Sequence, residues 1–486
     1  MNYAALAPAI PELTLCAGAM LVLVADLWIP ESARRHTADL ALLVLGAVAA
    51  STFVYGQTGH IGEVFSSSAW TVYFRRLFLA GAALAVLGAR EHVDRYARPR
   101  TGEYHALVLF STVGMMLLPG VHDLLLFLVA FELMGIPLYV LATFQREGSG
   151  VPTERERAKR ASEAGLKLYL VGAASTVLSI FGLSILVGLA GSTRFVDVNA
   201  LPASPLVALG VVFLLAGMGF KIGAVPFHAW VPDTYQGAET PFVAFLSVTP
   251  KAAGIAAIVV LFRGAASTRE AIWLPALVVL CVAAMTVGNL FALPQTNTRR
   301  LLGYSGIAQI GYMLLGIVAA STFGTAMTLF YLAGYLVTNM GAFFVLHAVA
   351  EADGGSDSLE DLAGLARRSP WLGMALLMFL LSLAGIPFVI GFWAKLSVFV
   401  AAYRAGLLGL VVAGAVLAVV GLFYYLQLAR AAYMVAPRRT GTVAVTPGVR
   451  VAIVVCLLAT VGMGLWPAPF VRAAERAAEA VGRGTP

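Results

Sequence analysis

Fourteen apolar runs, most of them long enough to cross a bilayer, leave this chain few ways to fold. They fall near residues 9–28, 38–57, 70–89, 104–121, 123–144, 163–188, 205–228, 240–262, 272–294, 301–320, 324–348, 371–402, 405–429 and 451–470. An α-helix rises 1.5 Å per residue, so about 20 apolar residues span a hydrocarbon core about 30 Å thick. With 60% of its residues hydrophobic and only 12% charged, the chain is excluded from the ordinary soluble domains. The expected fold class is an all-α polytopic membrane protein with about 14 transmembrane helices.

A net charge of +7 would point to nucleic acid in a soluble protein. Here the basic residues sit in short loops, where they orient the chain instead, and no nucleic-acid partner is expected. Loops after odd-numbered runs carry most of them, including Arg34-Arg35, Arg299-Arg300, Arg367-Arg368 and Arg438-Arg439. In a bacterial inner membrane that places both termini on the non-cytoplasmic side. The first run lacks a basic leader and an A-x-A cleavage site, so 9–28 reads as a spanning helix. Cys16, Cys281 and Cys456 lie far apart in apolar sequence and read as buried small hydrophobes. No Cys or His spacing suits an iron–sulfur centre or haem, so no cofactor and no metal are expected in this chain. Gly217-x-Gly219-x-x-x-Gly223 lacks the spacing of a nucleotide loop and reads as helix packing.

The basic residues inside the apolar runs are more informative. Of 32 Lys and Arg, only five are Lys: Lys159, Lys167, Lys221, Lys251 and Lys395. The last four fall within predicted spans, whereas the loops use Arg almost throughout. A charge at mid-membrane is expensive and usually faces a bundle interior or a wet path. Arg stays protonated in proteins and would serve as a permanent counter-charge; Lys is the residue that can give up its proton. Arg75 and Arg76 lie close enough to a span end to snorkel outward.

Two breaks organise the apolar runs. Span 7 leads into Lys221-Ile-Gly-Ala-Val-Pro226-Phe227, and span 12 holds Ala384-Gly-Ile-Pro387-Phe388 ahead of Lys395. Each is a Pro-Phe interruption near one lysine, five spans apart, the arrangement of inverted repeats in many transporters. The expected organisation is a three-helix segment over 1–103, five-helix repeats over 104–262 and 272–434, and a last helix with a tail over 435–486.

Several side chains could carry chemistry. Glu132 stands near the middle of span 5 and needs a cation, for which Lys221 is the candidate; the pair could gate proton transfer or simply tie two helices. Lys251 lies mid-span beside Pro250 with no acidic neighbour in its run, and Lys395 reads the same way in the second unit, although a snorkelling lysine fits there too. Glu163 and Lys167 are spaced i, i+4 and can pair on one helix face, as a cap or as a first proton acceptor. His228 could bridge Lys221 and Lys251 as a shuttle or bond backbone. Asp233, Tyr235 and Glu239 are expected to shape the connecting loop. Tyr304, Ser305, Gln309 and Tyr312 put polar groups into span 10, where they could order water.

The run from Phe220-Lys221-Ile-Gly-Ala-Val-Pro-Phe-His228 through Trp230-Val-Pro-Asp233-Thr-Tyr-Gln-Gly to Ser247-Val-Thr-Pro-Lys251 resembles one family closely. So do Phe131-Glu132-Leu-Met-Gly-Ile-Pro, Glu163-Ala-Gly-Leu-Lys167, Ser305-Gly-Ile-Ala-Gln-Ile-Gly-Tyr312 and Ala384-Gly-Ile-Pro-Phe through Lys395. The family is that of the antiporter-like membrane subunits of proton-pumping NADH–quinone oxidoreductase. The resemblance implies fourteen helices, inverted repeats at spans 4–8 and 9–13, and proton-path roles for Glu132, Lys167, Lys221, His228, Lys251 and Lys395. Asp233, Glu163, Tyr304 and Tyr312 are accessory candidates, and Glu239 is left without a role. Trp230-Val-Pro-Asp-Thr-Tyr departs from the Leu-Pro-Asp-Ala-His pattern of two sister subunits, one of which usually carries Glu where Lys395 stands.

The function so implied is non-redox proton translocation. FMN, iron–sulfur clusters and quinone are expected in partner subunits, membrane and peripheral, and lipid surrounds the chain. The alternatives are a subunit of a multisubunit cation/proton antiporter and a passive membrane anchor.

Overall fold

The computed structural model describes residues 3–55, 58–144, 152–354, 357–439 and 441–483. Helices account for nearly all of it: α1 (Ile10–Asp26), α2 (His36–Ser51), α3 (Ala69–Tyr96), α4 (Thr101–Leu117), α5 (Leu124–Ala142), α6 (Pro152–Ala190), α7 (Phe195–Asn199), α8 (Pro205–Ile222), α9 (Trp230–Gly237), α10 (Thr240–Leu246), α11 (Thr249–Arg263), α12 (Glu270–Ala292), α13 (Thr298–Val318), α14 (Thr322–Ala352), α15 (Leu365–Arg368), α16 (Pro370–Ala384), α17 (Ile390–Arg404), α18 (Leu408–Met434), α19 (Pro447–Leu465) and α20 (Ala468–Arg483). Among the described residues eleven spans are long and apolar enough to cross a membrane. The chain is a multi-pass membrane protein. The three other expected runs fold shorter: α2 and α4 have 16 and 17 residues, and run 371–402 divides into α16 and α17 of 15 each.

Burial sorts the helices into a centre and a rim. The spans Thr240–Arg263 and Thr298–Val318 are wholly enclosed by the rest of the chain, and Thr322–Ala352 nearly so. By contrast Arg155–Ala190 and Leu408–Met434 turn most of their apolar surface outward. Outward apolar surface on a membrane helix meets lipid and carries no hydrophobic penalty there.

Both expected breaks form, and they form alike. α8 ends at Gly223 (φ 71°) and α16 at Gly385 (φ 86°), each in the left-handed region that glycine enters without a β-carbon clash. Past each glycine the chain reaches back five residues: Ala224 N–H donates to the Gly219 carbonyl at 2.8 Å, and Ile386 N–H to the Leu381 carbonyl at 2.9 Å. This is the Schellman closure of a helix end, followed in both cases by a proline that cannot continue the helix. Trp230 Nε1 then donates to the Phe220 carbonyl at 3.1 Å and ties α9 back onto the end of α8.

A third interruption is a finding beyond the sequence reading. The run 240–262 divides at Ser247-Val248 into α10 and α11, with Pro250 and Lys251 in the opening turn of α11. Pro250 has no N–H to bond the preceding turn, so the helix is released one step before the lysine.

One other expectation is corrected, and three further features complete the fold. Arg75 does not snorkel: it is fully buried and paired to Glu12, with Nε to Oε1 at 2.6 Å and Nη2 to Oε2 at 2.9 Å. Its remaining donors reach Ser67 Oγ at 2.8 Å and the Pro8 carbonyl at 2.6 Å. Arg76, one residue round the helix, does reach a span end, at Thr52, with its guanidinium 3.9 Å from the Phe53 ring. The segment after α2 is a small antiparallel hairpin, β1 (Gly59–Ile61) with β2 (Phe65–Ser67), two short strands in an otherwise α-helical fold. The C-terminal tail is helical as well: α20 packs Ala474, Ala477 and Ala478 against α3 and α14.

The Glu12–Arg75 pair joins α1 to α3 in a site without water access. Breaking a buried pair by removing one partner typically costs about 3–5 kcal/mol, because the survivor stays charged and unpaired. Arg75→Ala in the full chain should therefore unfold at markedly lower denaturant or temperature than Glu12→Gln/Arg75→Met, which removes both charges. Equal stability of Arg75→Ala and the native chain would contradict the pairing.

Candidate functional site

Three lysines lie inside the helical bundle at 6%, 1% and 7% exposure: Lys221, Lys251 and Lys395. None forms an ion pair with a carboxylate among the described residues. Each has solved its desolvation differently.

Lys221 sits in the last turn of α8 and points at α5. Its Nζ donates to Tyr139 Oη at 3.3 Å and lies 4.6 Å from the centre of the Phe131 ring. The ring faces contribute electrostatic attraction of the cation–π kind. Phe131, Gly135 and Tyr139 recur every four residues and line one stripe of α5. A methyl on Gly135 would stand 2.3 Å from Nζ, so glycine is what leaves room for the ammonium. Glu132 is one residue, about 100°, off this stripe. Its carboxylate accepts instead from Thr176 Oγ1 on α6 at 2.8 Å. The expected direct Glu132–Lys221 contact is thus not made.

Lys251 occupies the centre. Its Nζ has no protein hydrogen-bond partner and stands 5.4 Å from the Tyr235 ring centre. Around it are other buried polar atoms without a protein partner, the hydroxyls of Tyr235 and Tyr335. A β-carbon on Gly306 would lie 3.2 Å from Lys251 Nζ and 3.0 Å from Tyr335 Oη, so both groups converge on one glycine of α13. Buried polar groups in folded proteins are bonded to protein or to ordered water, and a cluster of this kind is a place for water.

Tyr335 also lines a small cavity, with room for about one water, between α13, α14, α16 and α17, where Gln309, Tyr331, Thr338 and Ser382 meet Gly334, Leu383, Gly391 and Ala394. Gln309 Nε2 donates to Tyr425 Oη at 2.9 Å and to the Leu383 carbonyl at 3.0 Å, while Tyr331 Oη donates to Gln309 Oε1. Ser305 Oγ and Tyr425 Oη are 2.6 Å apart. Lys395 meets the same carbonyl: its Nζ donates to Leu383 O at 2.7 Å and Ala384 O at 3.0 Å. These carbonyls are the free C-terminal end of α16, the negative end of a helix dipole, where a cation is stabilised. The Tyr312 ring centre lies 5.1 Å from the same nitrogen, and Tyr312 Oη accepts from Asn289 at 3.1 Å. Lys395 is therefore not a snorkelling residue.

The other candidates lie apart. Lys167 is part-exposed in the chain and pairs with Glu163 at 2.8 Å, as the i, i+4 spacing suggests, and with Asp233 at 3.0 Å. Asp233 is bound on its other oxygen by Arg300 at 2.5 Å. The result is a ladder from α6 through α9 to α13, so Asp233 does more than shape a loop. Burial would raise the Asp233 carboxyl, but hydrogen bonds from Arg300 and Lys167 outweigh it and hold it below the usual carboxylate range. His228 is half-buried, its Nδ1 has no protein partner, and it bonds neither Lys221 nor Lys251. Tyr304 stands near Arg300 and Phe291, away from Lys395.

Sequence reasoning passed over Tyr139, Thr176, Tyr331, Tyr335, Thr338 and Tyr425. A signal was there: Tyr331, Tyr335 and Thr338 are spaced by four and three, one face of α14, in an otherwise apolar helix.

The ladder sets a pH expectation. A carboxyl held low in the folded chain stabilises it above the ordinary carboxylate range, and the contribution disappears as pH falls through the lowered value. Asp233→Asn should lower stability at neutral pH by no more than about 1 kcal/mol, since the groups are part-exposed. The difference from the native chain should shrink in acid; a difference that is flat from pH 7 to pH 3 would contradict the ladder.

Comparison with known proteins places this geometry. Residues 121–421 match the family described as NADH:quinone oxidoreductase/Mrp antiporter, transmembrane. NADH-quinone oxidoreductase subunit N 1 of Koribacter versatilis is 38% identical over 96% of this chain and 93% of its own length. Subunit N of Moorella thermoacetica is also 38% identical, over 94% and 95%. Among solved structures, a chain of respiratory complex I from Thermus thermophilus superposes with a TM-score of 0.80 at 33% identity, covering 96% of this chain and 99% of that one. A chain of the Mrp complex from a Dietzia species superposes with a TM-score of 0.85 at 20% identity, which shows a shared fold. A line of enclosed lysines on broken helices, in a sequence this similar along nearly its whole length, belongs to the antiporter-like subunit N family of the NADH–quinone oxidoreductases.

Proposed function

We propose that this chain carries protons across the membrane through Lys221, Lys251 and Lys395, as a subunit of NADH–quinone oxidoreductase. The observation that carries the reading is the polar thread between Lys251 and Lys395. Tyr335, Gln309, Tyr331 and the Leu383 carbonyl stand between two amines that pair with no carboxylate among the described residues. A fixed ion pair would hold its proton; an amine facing hydroxyls, an amide and carbonyls can pass one on by short steps.

On this reading the chain does no redox chemistry itself. Electrons pass from NADH to quinone on FMN and iron–sulfur centres in other subunits, and the energy released moves protons from the cytoplasm outward. Glu132, close to Lys221 yet bonded to Thr176, acts as a gate that strengthens or weakens its hold on the Lys221 charge as α5 and α8 shift. Lys167, at the ladder with Asp233, is the entry acceptor, and His228 relays between Lys221 and Lys251 through water. The matching Schellman ends before Pro226 and Pro387 support two inverted repeats over 104–262 and 272–434. The arginine-rich loops support a cytoplasmic location for that side and non-cytoplasmic termini. The shared fold with an Mrp chain is compatible with a cation/proton antiporter, but the relatives at 38% identity favour the oxidoreductase. Co-purification with flavin- and iron–sulfur-bearing subunits decides between them.

In the assembled complex in proteoliposomes, NADH-driven internal acidification should fall several-fold in Lys251→Ala. It should fall as far in Lys251→Arg, which keeps the charge but does not release a proton. Full pumping by either variant in an intact complex would favour a passive anchor.

A further inference from the structure

Far along α14 from the lysine thread, at the arginine-rich end of the bundle, three helices bring two imidazoles and two carboxylates together. Tyr335 and His347 are twelve residues apart on one helix, about 18 Å. His92 comes from the end of α3, His347 and Glu351 are i and i+4 on α14, and Glu239 is the residue that opens α10. His92 lies between the carboxylates, with Nε2 2.8 Å from Glu239 Oε2 and Nδ1 3.0 Å from Glu351 Oε1. The His347 ring meets the His92 ring edge-on, centres 5.2 Å apart. One donor atom each from His92, His347 and Glu351 lies within 4.8 Å of the other two.

We propose that His92, His347 and Glu351 form a binding site for a divalent transition-metal ion of the Zn2+ type. Two imidazoles and one carboxylate are a donor set that suits Zn2+, whereas Mg2+ and Ca2+ take oxygen ligands. Zn2+ bonds of about 2.0–2.2 Å in a tetrahedron set ligand atoms about 3.3 Å apart; His92 Nδ1 and Glu351 Oε1, at 3.0 Å, already stand near that spacing, so only the His347 nitrogen has to close, by up to about 1.5 Å. Side-chain rotation achieves that, because His347 and Glu351 already share a helix face and His92 Nδ1 already touches Glu351. The ion takes the place of the proton between His92 Nδ1 and Glu351 Oε1. Three protein ligands leave a fourth position for water.

The surroundings fit a metal site beyond its ligands. Glu239, bonded to the far nitrogen of His92, fixes the ring so that Nδ1 faces the ion, the arrangement by which carboxylates orient metal-bound histidines. Arg95 holds Glu351 Oε2 at 3.0 Å and leaves Oε1 for the ion. The site is partly open, with Glu351 and Glu239 side chains 18% and 23% exposed, so an ion can enter. Its consequence is mechanical: an ion there ties α3 to α14. His92 and His347 stand 255 positions apart in the chain, which is why no motif announced the site.

The test uses the full chain in detergent, purified with an affinity tag that contains no histidine, stripped with EDTA and dialysed against ZnCl2. Metal analysis after desalting should find one Zn2+ per chain, and Zn X-ray absorption should show two imidazoles with oxygen and no sulfur. His347→Gln and Glu351→Gln, each checked for a monodisperse elution peak, should each weaken binding more than ten-fold. Glu239→Gln should weaken it less, and Cys16→Ser should leave it unchanged. No retained zinc, a sulfur ligand, or undiminished binding in a monodisperse Glu351→Gln chain would overturn the assignment.

Discussion

A primary amine enclosed by apolar helices must find polar company, and the arrangement of this chain follows from how three such amines find it. At mid-helix in a bilayer a Lys costs roughly 2.5–3.5 kcal/mol on insertion scales. Lys221 offsets that cost with a tyrosine hydroxyl and two ring faces, and Lys395 with the open carbonyls of a helix end. Lys251 Nζ has no hydrogen-bond partner among the described residues and only the Tyr235 ring near it. The contrast with Arg75 is instructive. Where the fold needs a permanent tie, it uses arginine with a two-point carboxylate and two further acceptors. The three enclosed lysines, by contrast, form no ion pair with a carboxylate among the described residues, which is what the proposed proton route requires.

Broken helices are what make those positions possible. A continuous helix satisfies its own carbonyls and has nothing to offer a neighbouring cation. Ending α16 at Gly385 frees the Leu383 and Ala384 carbonyls at membrane depth, and α17 returns Lys395 to them. Ending α8 at Gly223 stops the helix two residues past Lys221. The division before Pro250 sets Lys251 in a first turn rather than mid-helix. Three interruptions thus serve three lysines, with the enclosed α13 and α14 supplying the polar side chains between the last two.

Much of this was legible beforehand, and the reasons are physical. Hydropathy set the class, and Gly-x-x-Pro-Phe and Gly-x-Pro-Phe marked both breaks because few sequences other than turns tolerate them in an apolar run. The scarcity of lysine singled out the site. What was not legible depends on rotation and on partners distant in sequence. Glu132 and Lys221 were matched by depth, but a one-residue offset turned the carboxylate toward Thr176. Arg75 was assigned to the interface by its distance from a span end, since Glu12 is 63 residues away and nothing local predicts the meeting. Asp233 looked like a loop residue because its partners, Lys167 and Arg300, come from two other helices. The Tyr331–Tyr335–Thr338 face was readable from spacing alone and was overlooked among aromatic residues that usually pack a core.

The central claim is that a wet polar route joins Lys251 to Lys395. An experimental density map of the assembled complex in lipid, at a resolution that shows ordered water, tests it most directly. The account predicts waters bonded to Lys251 Nζ, to the Tyr335 hydroxyl and to the polar groups around Gln309, forming an unbroken chain to Lys395. Dry apolar packing between Tyr335 and Gln309, or a Lys251 nitrogen turned toward lipid, would contradict it.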